Sequence, residues 1–495
     1  MARTPLLRAL RRLAREHEAA ERLGITPAEL RIRRTFELSR RDFLRGAAGA
    51  AAIGVLAPGL RFAPALGAPA PRIAIVGAGI SGLTAALTLK DKGIATTVYE
   101  ASQGVGGRMH SDGSGYWADA QVSEFCGELI DSGHTTILGL ASRFGLAVDD
   151  LLAAQPPGST DTYWFLNRRY TAAQADADFV PVREAAKRDL TAAGYPTLWN
   201  KYKPASYALD HMSVHDWIRT RVPGGHTSPF GQLLDVAYNI EYGAETDEQS
   251  SLNLLYLLAY QPSPKGFAVF GVSDEQYHIR GGNQRLPEAI ANLLPDIRLR
   301  WRLTAIVTRA DNTVALSFET PAGPKQVVAD QVILTLPFAV LRTLDISRAG
   351  FDSMKRRAIN ELGAARNAKL QLQFNTRYWN TSGLWGISTG GSYADLGYQS
   401  TWDVTHAQGG GHHRQLHWRQ YGGRVPAVIS LFTRRCQSQG GGVCPYFSPA
   451  VRDRVSGNLR QLERPRHALR THSGSQPSLL LFILESRTVH GFRRL

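Results

Sequence analysis

The sequence predicts an α/β fold built on a nucleotide-binding unit, and three features support this prediction. The run Ile73 to Val76 is apolar and β-branched, which is typical of a buried parallel strand. Gly77, Gly79 and Gly82 follow in the spacing G-x-G-x-x-G, where a strand would turn into a helix. Glu100 then ends a second predicted strand, Ala95 to Tyr99. A strand, a glycine turn, a helix and an acid in this order indicate a Rossmann-like dinucleotide-binding unit.

Each glycine of the motif has its own structural role. Gly77 permits the tight turn, and Gly79 lets the backbone approach a pyrophosphate. Gly82 lets the following helix pack closely on the strand. Ile80 and Ser81 lie at the start of that helix, so its free N–H groups and positive dipole end would face the phosphates.

The residues after the second strand extend the predicted nucleotide site. Glu100, followed by Ala101, can accept hydrogen bonds from a ribose 2′-hydroxyl and would repel a 2′-phosphate. Gly106 and Gly107 let the chain cross close over the pyrophosphate, and Arg108 can offer it a bidentate fork.

From this point the sequence resembles the FAD-dependent amine oxidase family, which includes monoamine, polyamine and L-amino-acid oxidases. The family carries a G-G-R segment, here 106–108, and then an E-x-G-G-like turn near the flavin, here 124–128. The resemblance runs from about Arg72 to about Thr405. It implies FAD as cofactor, with Gly127 and Glu128 near the flavin, and a Rossmann-like FAD-binding domain beside an α+β substrate domain.

The resemblance also implies a domain order, in which the FAD-binding domain and the substrate domain are each formed by two separate segments. The expected order is a leader (1–68), the first FAD-binding segment (70–150), a mainly helical first substrate segment (151–270), the second FAD-binding segment (271–345), the second substrate segment (346–405) and an atypical tail (406–495). Leu303 is expected with its backbone at the adenine side. Helices are predicted at Thr135–Leu146 and Ser251–Tyr260 and from Leu286, and strands at Ala95–Tyr99, Leu299–Ala305, Val314–Phe318 and Gln326–Val328.

The segment 367–379 is the most informative for chemistry. Its apolar and polar side chains alternate, which predicts a half-buried strand. Lys369 lies at its start, in a K-x₉-W pattern similar to that of the family's active-site lysine. That lysine holds a water against the reactive flavin nitrogen and assists reoxidation by oxygen, since a cation there stabilises the anionic reduced ring. A solvent-facing lysine at a strand end is the alternative. Cys126 is a lone thiol for which we expect a packing role.

The implied reaction oxidises a C–N bond of a small amine. A hydride equivalent passes to FAD, oxygen regenerates the flavin with release of hydrogen peroxide, and the imine hydrolyses to an aldehyde or ketone and ammonia. Amino-acid oxidases of the family bind the substrate carboxylate with an arginine, and that position is Leu129 here, which favours an amine. The alternatives are an L-amino-acid oxidase, a desaturase of the same superfamily, and an inactive flavin-fold remnant.

The basic charge of the chain lies at its two ends. Of the formal net charge of +15, +6 lies in residues 1–45 and +11 in residues 406–495, which leaves −2 for the residues between them. The enzyme-like centre is therefore not basic, and we expect no nucleic-acid partner.

The N-terminal segment resembles a twin-arginine export signal. Ser39 to Leu44 has the sequence S-R-R-D-F-L and precedes a glycine- and alanine-rich run, Gly46 to Leu60, and A-x-A sites such as Ala63–Ala65. We expect the twin-arginine machinery as a partner and a periplasmic or secreted location. The run is too short for a bilayer core of about 30 Å, so no stable membrane span is expected. A basic amphipathic helix on a soluble protein is the alternative.

The tail, residues 406–495, departs from the family pattern. It holds seven of the fourteen histidines, two of the three cysteines and fourteen arginines but no lysine. The F-A-G-E segment and G-x-x-E-G-A helix start with which the family completes its flavin site are missing from it. A lineage-specific tail is one interpretation. A His/Cys metal site is another, but the spacings fit no tetrahedral pattern, so no metal ligand is assigned.

Translation out of the ancestral frame from about His406 is the third interpretation. Read one base later, codons of His412 and His413 encode Thr or Ile, and Trp418 before an arginine becomes Gly, as a strand and turn would need. We then expect an irregular, exposed tail without a coherent wall for the site. Only Val425–Phe432 and Leu479–Leu484 are continuous enough to pack.

Overall fold

The computed structural model describes residues 70–198, 200–263, 266–363, 367–374, 376–396 and 398–408, together with the backbone of 427–433 and 479–482. The chain divides into two compact units, Met1–Ala70 and Pro71–Leu495. The structure below is that of the second unit. The predicted export signal and most of the tail lie outside the described residues.

A parallel sheet holds the predicted nucleotide-binding unit. Its strands are β1 (Ile73–Val76), β2 (Thr96–Tyr99), β9 (Ile297–Arg298) and β13 (Gln331–Leu334), in the order β13-β1-β2-β9. The first helix, α1 (Ile80–Lys90), connects β1 to β2. All four residues of β1 are buried, because the strand has a neighbour on each side and apolar clusters on both faces. The α/β class predicted from the glycine motif is confirmed.

A second sheet packs on one face of the first. Its strands are β10 (Arg302–Thr308), β11 (Val314–Glu319), β12 (Lys325–Ala329) and β14 (Asp345–Arg348), in the order β12-β11-β10-β14. Tyr99 of the first sheet stacks on Phe318 of the second, with ring centroids 4.7 Å apart, and Leu303 belongs to the same apolar cluster.

The largest sheet has seven strands in the order β19-β15-β18-β17-β16-β6-β7. They are β6 (Thr160–Phe165), β7 (Arg168–Tyr170), β15 (Ala368–Phe374), β16 (Ser388–Ala394), β17 (Tyr398–Asp403), β18 (Ala427–Thr433) and β19 (Leu479–Phe482). A group of helices packs beside it: α3 (Ala172–Ala193), α4 (Pro204–Asp210), α5 (Val214–Arg221), α6 (Pro229–Tyr242) and α7 (Ser251–Leu258). Buried Trp217, Phe230 and Leu254 belong to their common core.

Shorter elements connect the sheets. They are β3 (His110–Asp112), β4 (Ser123–Cys126), α2 (Thr135–Arg143), β5 (Val148–Asp150), β8 (Tyr277–Ile279), α8 (Arg285–Ala291), α9 (Phe338–Leu341) and α10 (Ser353–Glu361). Strand β3 pairs with β4, and β5 pairs with β8. None of the helices in the described ranges has the length and apolar character needed to cross a membrane.

Several predicted bounds differ from the observed ones. The helix predicted to reach Leu146 ends at Arg143, and the one predicted to reach Tyr260 ends at Leu258. The strand predicted from Leu299 begins only at Arg302. The residues just before it run beside the end of β2 instead, where Trp301 N donates to the Glu100 carbonyl oxygen at 2.8 Å.

Two segments of the tail enter the largest sheet, which corrects one expectation. Strands β18 and β19 pair antiparallel with β15 on its two sides, and Lys369 lies opposite Phe432 and Phe482. They coincide with the two segments that the sequence marks as continuous enough to pack. The tail therefore does contribute neighbours to the strand of Lys369, contrary to the prediction that it forms no coherent wall. The remaining tail residues after 408 lie outside the described residues.

Candidate active site

The glycine loop lies between β1 and α1. Gly77 has a φ of 105°, and a Cβ there would lie 2.6 Å from Thr335 Oγ1. A Cβ on Gly82 would lie 1.9 Å from the Gly77 carbonyl oxygen. Gly79 differs, because its Cβ would be 3.9 Å from the nearest protein atoms. The protein itself thus requires glycine at positions 77 and 82, whereas a Cβ at Gly79 would make only ordinary contacts with Gly106 and Gly107, which leaves this position for the approach of a pyrophosphate.

A second glycine pair faces this opening. Gly79 and Gly106 form an isolated parallel bridge, and Gly106 N donates to the Ala78 carbonyl oxygen at 2.9 Å. Gly107 has a φ of 59°, and its Cβ would lie 3.2 Å from Gly79 Cα. The exposed Arg108 guanidinium has no hydrogen-bond or ion-pair partner among the described residues. It is therefore available to bind an anion.

Glu100 lies at the end of β2, beside the glycine loop. Its Oε2 accepts a hydrogen bond from Ala78 N at 2.8 Å, and its Oε1 accepts one from Ser102 N at 2.8 Å. Carboxylate oxygens have capacity for further donors, such as ribose hydroxyls. Ala101 beside it is exposed, whereas Leu303 is buried in the core below.

The residues present fit a dinucleotide. Ile80 and Ser81 begin α1, and its first turn carries no acidic side chain that would repel a phosphate. The opening at Gly79 and the unpaired Arg108 complete the cradle. In the described part of the chain, no group of three or more His, Cys, Asp and Glu side chains is placed to hold a metal ion.

The turn predicted to lie near the flavin is fixed by a buried carboxylate. Glu124 is 1% exposed and accepts hydrogen bonds from Ser111 Oγ, His278 Nε2 and Asn283 N, each at 2.8 Å. Its carbonyl oxygen accepts from Gln371 Nε2 at 3.0 Å. Three other segments of the chain therefore meet at this residue: β3, residues 278–283 and β15. The sequence placed Glu124 in the turn but did not reveal its central position.

Asn283 clamps the same turn. Its Nδ2 donates to the carbonyl oxygens of Gly127 at 2.7 Å and Glu128 at 2.6 Å. Gly127 has a φ of 67°, and its Cβ would lie 2.5 Å from the Arg108 carbonyl oxygen. The turn thus packs directly against the G-G-R segment, and the two predicted cofactor-binding segments are brought together.

Lys369 projects into the interior beside this turn. Its Nζ lies 2.7 Å from Glu128 Oε2, and the two side chains are only 12% and 8% exposed. Trp402 Nε1 donates to Glu128 Oε1 at 3.0 Å, and Lys369 Nζ lies 5.3 Å from the centroid of the Trp402 ring. The alternative of a solvent-facing lysine is therefore wrong. The sequence pattern did not single out Trp402.

The polar face of β15 also differs from the expected one. Gln371 is 2% exposed and bonds to Ser123 Oγ and to the turn, so this face packs on the flavin turn rather than facing water. Cys126 is half-buried, and burial raises the pKa of its thiol despite the opposing effect of Lys369. A neutral, packed thiol follows at neutral pH.

These features define a dinucleotide-binding oxidoreductase with a buried lysine–carboxylate pair beside the cofactor cradle. The model of the flavin-containing amine oxidoreductase family matches residues 80–424, more than half of the chain, and the chain belongs to this family. Its members are FAD-dependent enzymes, and FAD is accordingly the cofactor of this chain. The match extends beyond Thr405, where the resemblance was predicted to stop.

Individual relatives cover about two thirds of the chain. A lysine-specific histone demethylase 1B homologue of Caenorhabditis elegans is 27% identical over 64% of this chain and 38% of its own length. An L-amino-acid oxidase of Pseudechis australis is 23% identical over 66% and 61%. The chain thus spans less than two thirds of either relative. The solved cyclohexylamine oxidase of Brevibacterium oxydans IH-35A shares the fold, with a TM-score of 0.60 and 19% identity over 84% of this chain and 85% of its own.

A second family model covers the N-terminal segment. The twin-arginine signal model matches residues 37–57, which confirms that the chain carries a signal for this export pathway.

Proposed function

We propose that this chain oxidises the C–N bond of a small amine, giving an imine that hydrolyses to an aldehyde or ketone and ammonia, with release of hydrogen peroxide. The observation that carries the proposal is the buried pair of Lys369 and Glu128, held against the segment that includes Arg108 and the glycine loops. Bound FAD would supply the redox chemistry, accepting a hydride equivalent and passing electrons to oxygen.

The chain's own residues position the reactants. Glu128 holds the Lys369 ammonium in one place, since it accepts a charge-assisted hydrogen bond that is shielded from water. Trp402 fixes the opposite oxygen of Glu128. A fixed cation at this point favours developing negative charge nearby without reorganisation. Lys369 is accordingly the residue we propose for the oxygen half-reaction.

The substrate we propose is an amine rather than an amino acid. Leu129 occupies the position at which amino-acid oxidases of the family are expected to carry an arginine, and an apolar side chain cannot pair with a carboxylate. An L-amino-acid oxidase and a desaturase are the competing activities. The twin-arginine signal supports action outside the cytoplasm, in the periplasm or as a secreted enzyme.

The test is to purify the full chain after export and measure flavin absorbance and peroxide formation together. We expect a yellow protein that forms peroxide with amines and not with amino acids. A colourless protein without peroxide formation would contradict the proposal and favour the inactive remnant. A yellow protein that forms peroxide only with amino acids would favour the L-amino-acid oxidase instead.

A further inference from the structure

Three alternate residues of β15 face the part of the chain that forms and precedes the flavin turn. Lys369, Gln371 and Gln373 lie two positions apart, so their side chains share one face of the strand. Gln373 makes three hydrogen bonds of 2.9 to 3.2 Å with segment 118–121, ahead of the turn. Gln371 and Lys369 both contact the turn itself, at the carbonyl oxygen of Glu124. One strand therefore carries both the proposed reactive lysine and the residues that fix the turn beside it.

The amide of Gln371 is oriented by a chain of hydrogen bonds that runs in one direction. The indole Nε1–H of Trp117 can only donate, and it donates to Ser123 Oγ at 2.9 Å. The Ser123 hydroxyl then donates to Gln371 Oε1, also at 2.9 Å. The Gln371 amide nitrogen consequently faces the Glu124 carbonyl oxygen, to which it donates at 3.0 Å. Trp117, Ser123 and Gln371 are each at most 2% exposed, so these bonds are shielded from water.

Gln371 and Lys369 share the Glu124 carbonyl oxygen as an acceptor. Lys369 Nζ lies 3.4 Å from this oxygen but 2.7 Å from Glu128 Oε2. Gln371 Nε2 is the closer donor to the carbonyl oxygen, at 3.0 Å. Without Gln371 this buried oxygen would draw the ammonium towards itself, because a buried acceptor without a close donor is costly. Gln371 therefore keeps the lysine on Glu128.

We propose that Gln371 is a positioning residue for Lys369. By satisfying the Glu124 carbonyl oxygen, Gln371 holds the ammonium at Glu128 and fixes β15 against the flavin turn. This proposal rests on the proposed function, in which the Lys369 cation assists reoxidation of reduced FAD by oxygen. Position matters there, because a preorganised charge stabilises developing negative charge without moving. An apolar side chain of similar size could fill the same space, but it would leave the ammonium divided between the two oxygens.

The test is Gln371→Leu, measured in protein whose flavin is reduced photochemically, so that no amine is needed. Stopped-flow mixing with oxygen should show reoxidation about tenfold slower than in the unaltered chain, because the cation is displaced. The reduction potential of the flavin should become more negative, since a displaced cation stabilises the anionic reduced ring less. Reduction of the flavin by an amine, measured separately, should change by less than about twofold.

Gln373→Leu is the matched control. It removes three hydrogen bonds between the same strand and the same part of the chain, but their partners lie at 118–121, ahead of Glu124. The control variant should have a lower melting temperature and an unchanged reoxidation rate and reduction potential.

Ser123→Ala is a milder second variant, which decides the question where Gln371→Leu fails to fold. It leaves Gln371 in place and removes the hydroxyl that orients its amide. Reoxidation should slow in the same direction, by about threefold, since one hydrogen bond of this kind is lost.

Combination with Lys369→Met shows whether Gln371 acts through the lysine. In a Lys369→Met chain, Gln371→Leu should slow reoxidation no further, because no cation is left to displace. Melting curves of the flavin-free proteins give a second readout. There the effects of Gln371→Leu and Lys369→Met on the free energy of unfolding should not add, since both side chains share the Glu124 carbonyl oxygen. The effects of Gln373→Leu and Lys369→Met should add.

Three results would overturn the proposal. They are an unchanged reoxidation rate in both Gln371→Leu and Ser123→Ala, equal slowing by Gln373→Leu, and slowing by Gln371→Leu that persists in full in the Lys369→Met chain. In a chain that retains no flavin, additive effects of Gln371→Leu and Lys369→Met on unfolding reject the positioning role, and non-additive effects support it.

Photochemical reduction separates these results from the proposed function. Slower reoxidation in Gln371→Leu, without peroxide from any amine in the unaltered chain, supports the positioning role and rejects the amine oxidase. Peroxide from amines, with an unchanged reoxidation rate in both Gln371→Leu and Ser123→Ala, supports the oxidase and rejects the positioning role.

Discussion

Lys369 shows how one contact decides between two interpretations of the same residue. A lysine at a strand end is ordinarily solvated, but this one is 12% exposed and paired with Glu128 at 2.7 Å. Lys369→Met should slow reoxidation of the reduced flavin by oxygen on the order of 100-fold, because the fixed charge acts on that half-reaction. Reduction by substrate should change far less. Stopped-flow measurement of the two half-reactions, in protein that retains flavin, provides the check.

The Lys369→Met variant also leaves the Glu128 carboxylate without its counter-charge, so the measurement needs a control. Without Lys369 the Glu128 carboxylate keeps only Trp402 among its partners in the described residues, and a buried carboxylate without a counter-charge is strongly destabilising. In the double variant with Glu128→Gln, thermal stability should recover while the slow reoxidation remains. Equal slowing of both half-reactions in the double variant would count against the proposed role of Lys369.

The raised pKa of Glu275 makes the free energy of unfolding depend on pH. Its pKa is raised from 4.5 to about 8 in the folded chain, so the folded form holds a proton that the unfolded form releases in that range. Stability from this group is therefore fully present below about pH 4.5 and is lost as pH rises towards about 8. Glu275→Gln should raise the melting temperature at about pH 8 and have little effect at about pH 5. Thermal melts at both pH values measure this, with the substitution Glu184→Gln of an exposed acid on α3 as the control. An unchanged pH dependence would mean that Glu275 is already ionised.

At the scale of elements, folding and cofactor binding depend on different glycines of the glycine loop, although these glycines lie within six residues of each other. A Cβ on Gly79 would meet no protein atom within 3.9 Å, whereas a Cβ on Gly82 would lie 1.9 Å from a backbone oxygen. Gly79→Val should therefore keep a near-native melting temperature in the flavin-free protein but lose flavin, while Gly82→Ala should lose stability itself. Flavin absorbance and melting curves of both variants distinguish these effects. Stoichiometric flavin in Gly79→Val would show that this loop is not the cradle.

The local elements were predictable because their signals lie within a few neighbouring residues. The motif from Ile73 to Glu100 carries its strand, turn and helix in its own spacing. The strand of Lys369 was found from alternation, although its polar face proved to be buried. Contacts between distant segments carry no such signal. Glu124 meets Asn283 across 159 positions, and Glu128 meets Trp402 across 274.

The position of Glu275 was missed for the same reason. It is an ordinary acid in its own segment, and only the fold brings it to the end of the flavin turn, where its backbone N donates to Asp131 Oδ1 at 2.9 Å. The extent of helices was also less predictable than their existence, since α2 and α7 end before the apolar pattern does.

At the scale of the whole molecule, the parallel sheet ends on an apolar edge. Among the described strands β13 pairs with β1 alone, and all four of its residues are half-buried. An unpaired strand edge is a place where a further strand can add, and a strand there would also cover part of Val332, Ile333 and Leu334. The family's closing flavin segment, which we do not find in residues 406–495, is a candidate for that strand.

The last prediction follows from this edge and from the composition of the tail. If residues from about His406 are out of frame, the nucleotide sequence there should contain, one base later, a glycine-rich acidic flavin segment. A chain with that frame restored should gain a strand beside β13, retain FAD and melt at a higher temperature, since a ligand that binds only the folded state stabilises it. Fourteen arginines against three acids after position 405 make the present tail a poor substitute for such a segment, because each buried unpaired charge costs several kcal/mol. Sequencing the region and comparing flavin content of the two chains tests this directly. A present chain that already holds stoichiometric FAD, or a shifted frame without the acidic glycine-rich segment, would reject the frameshift.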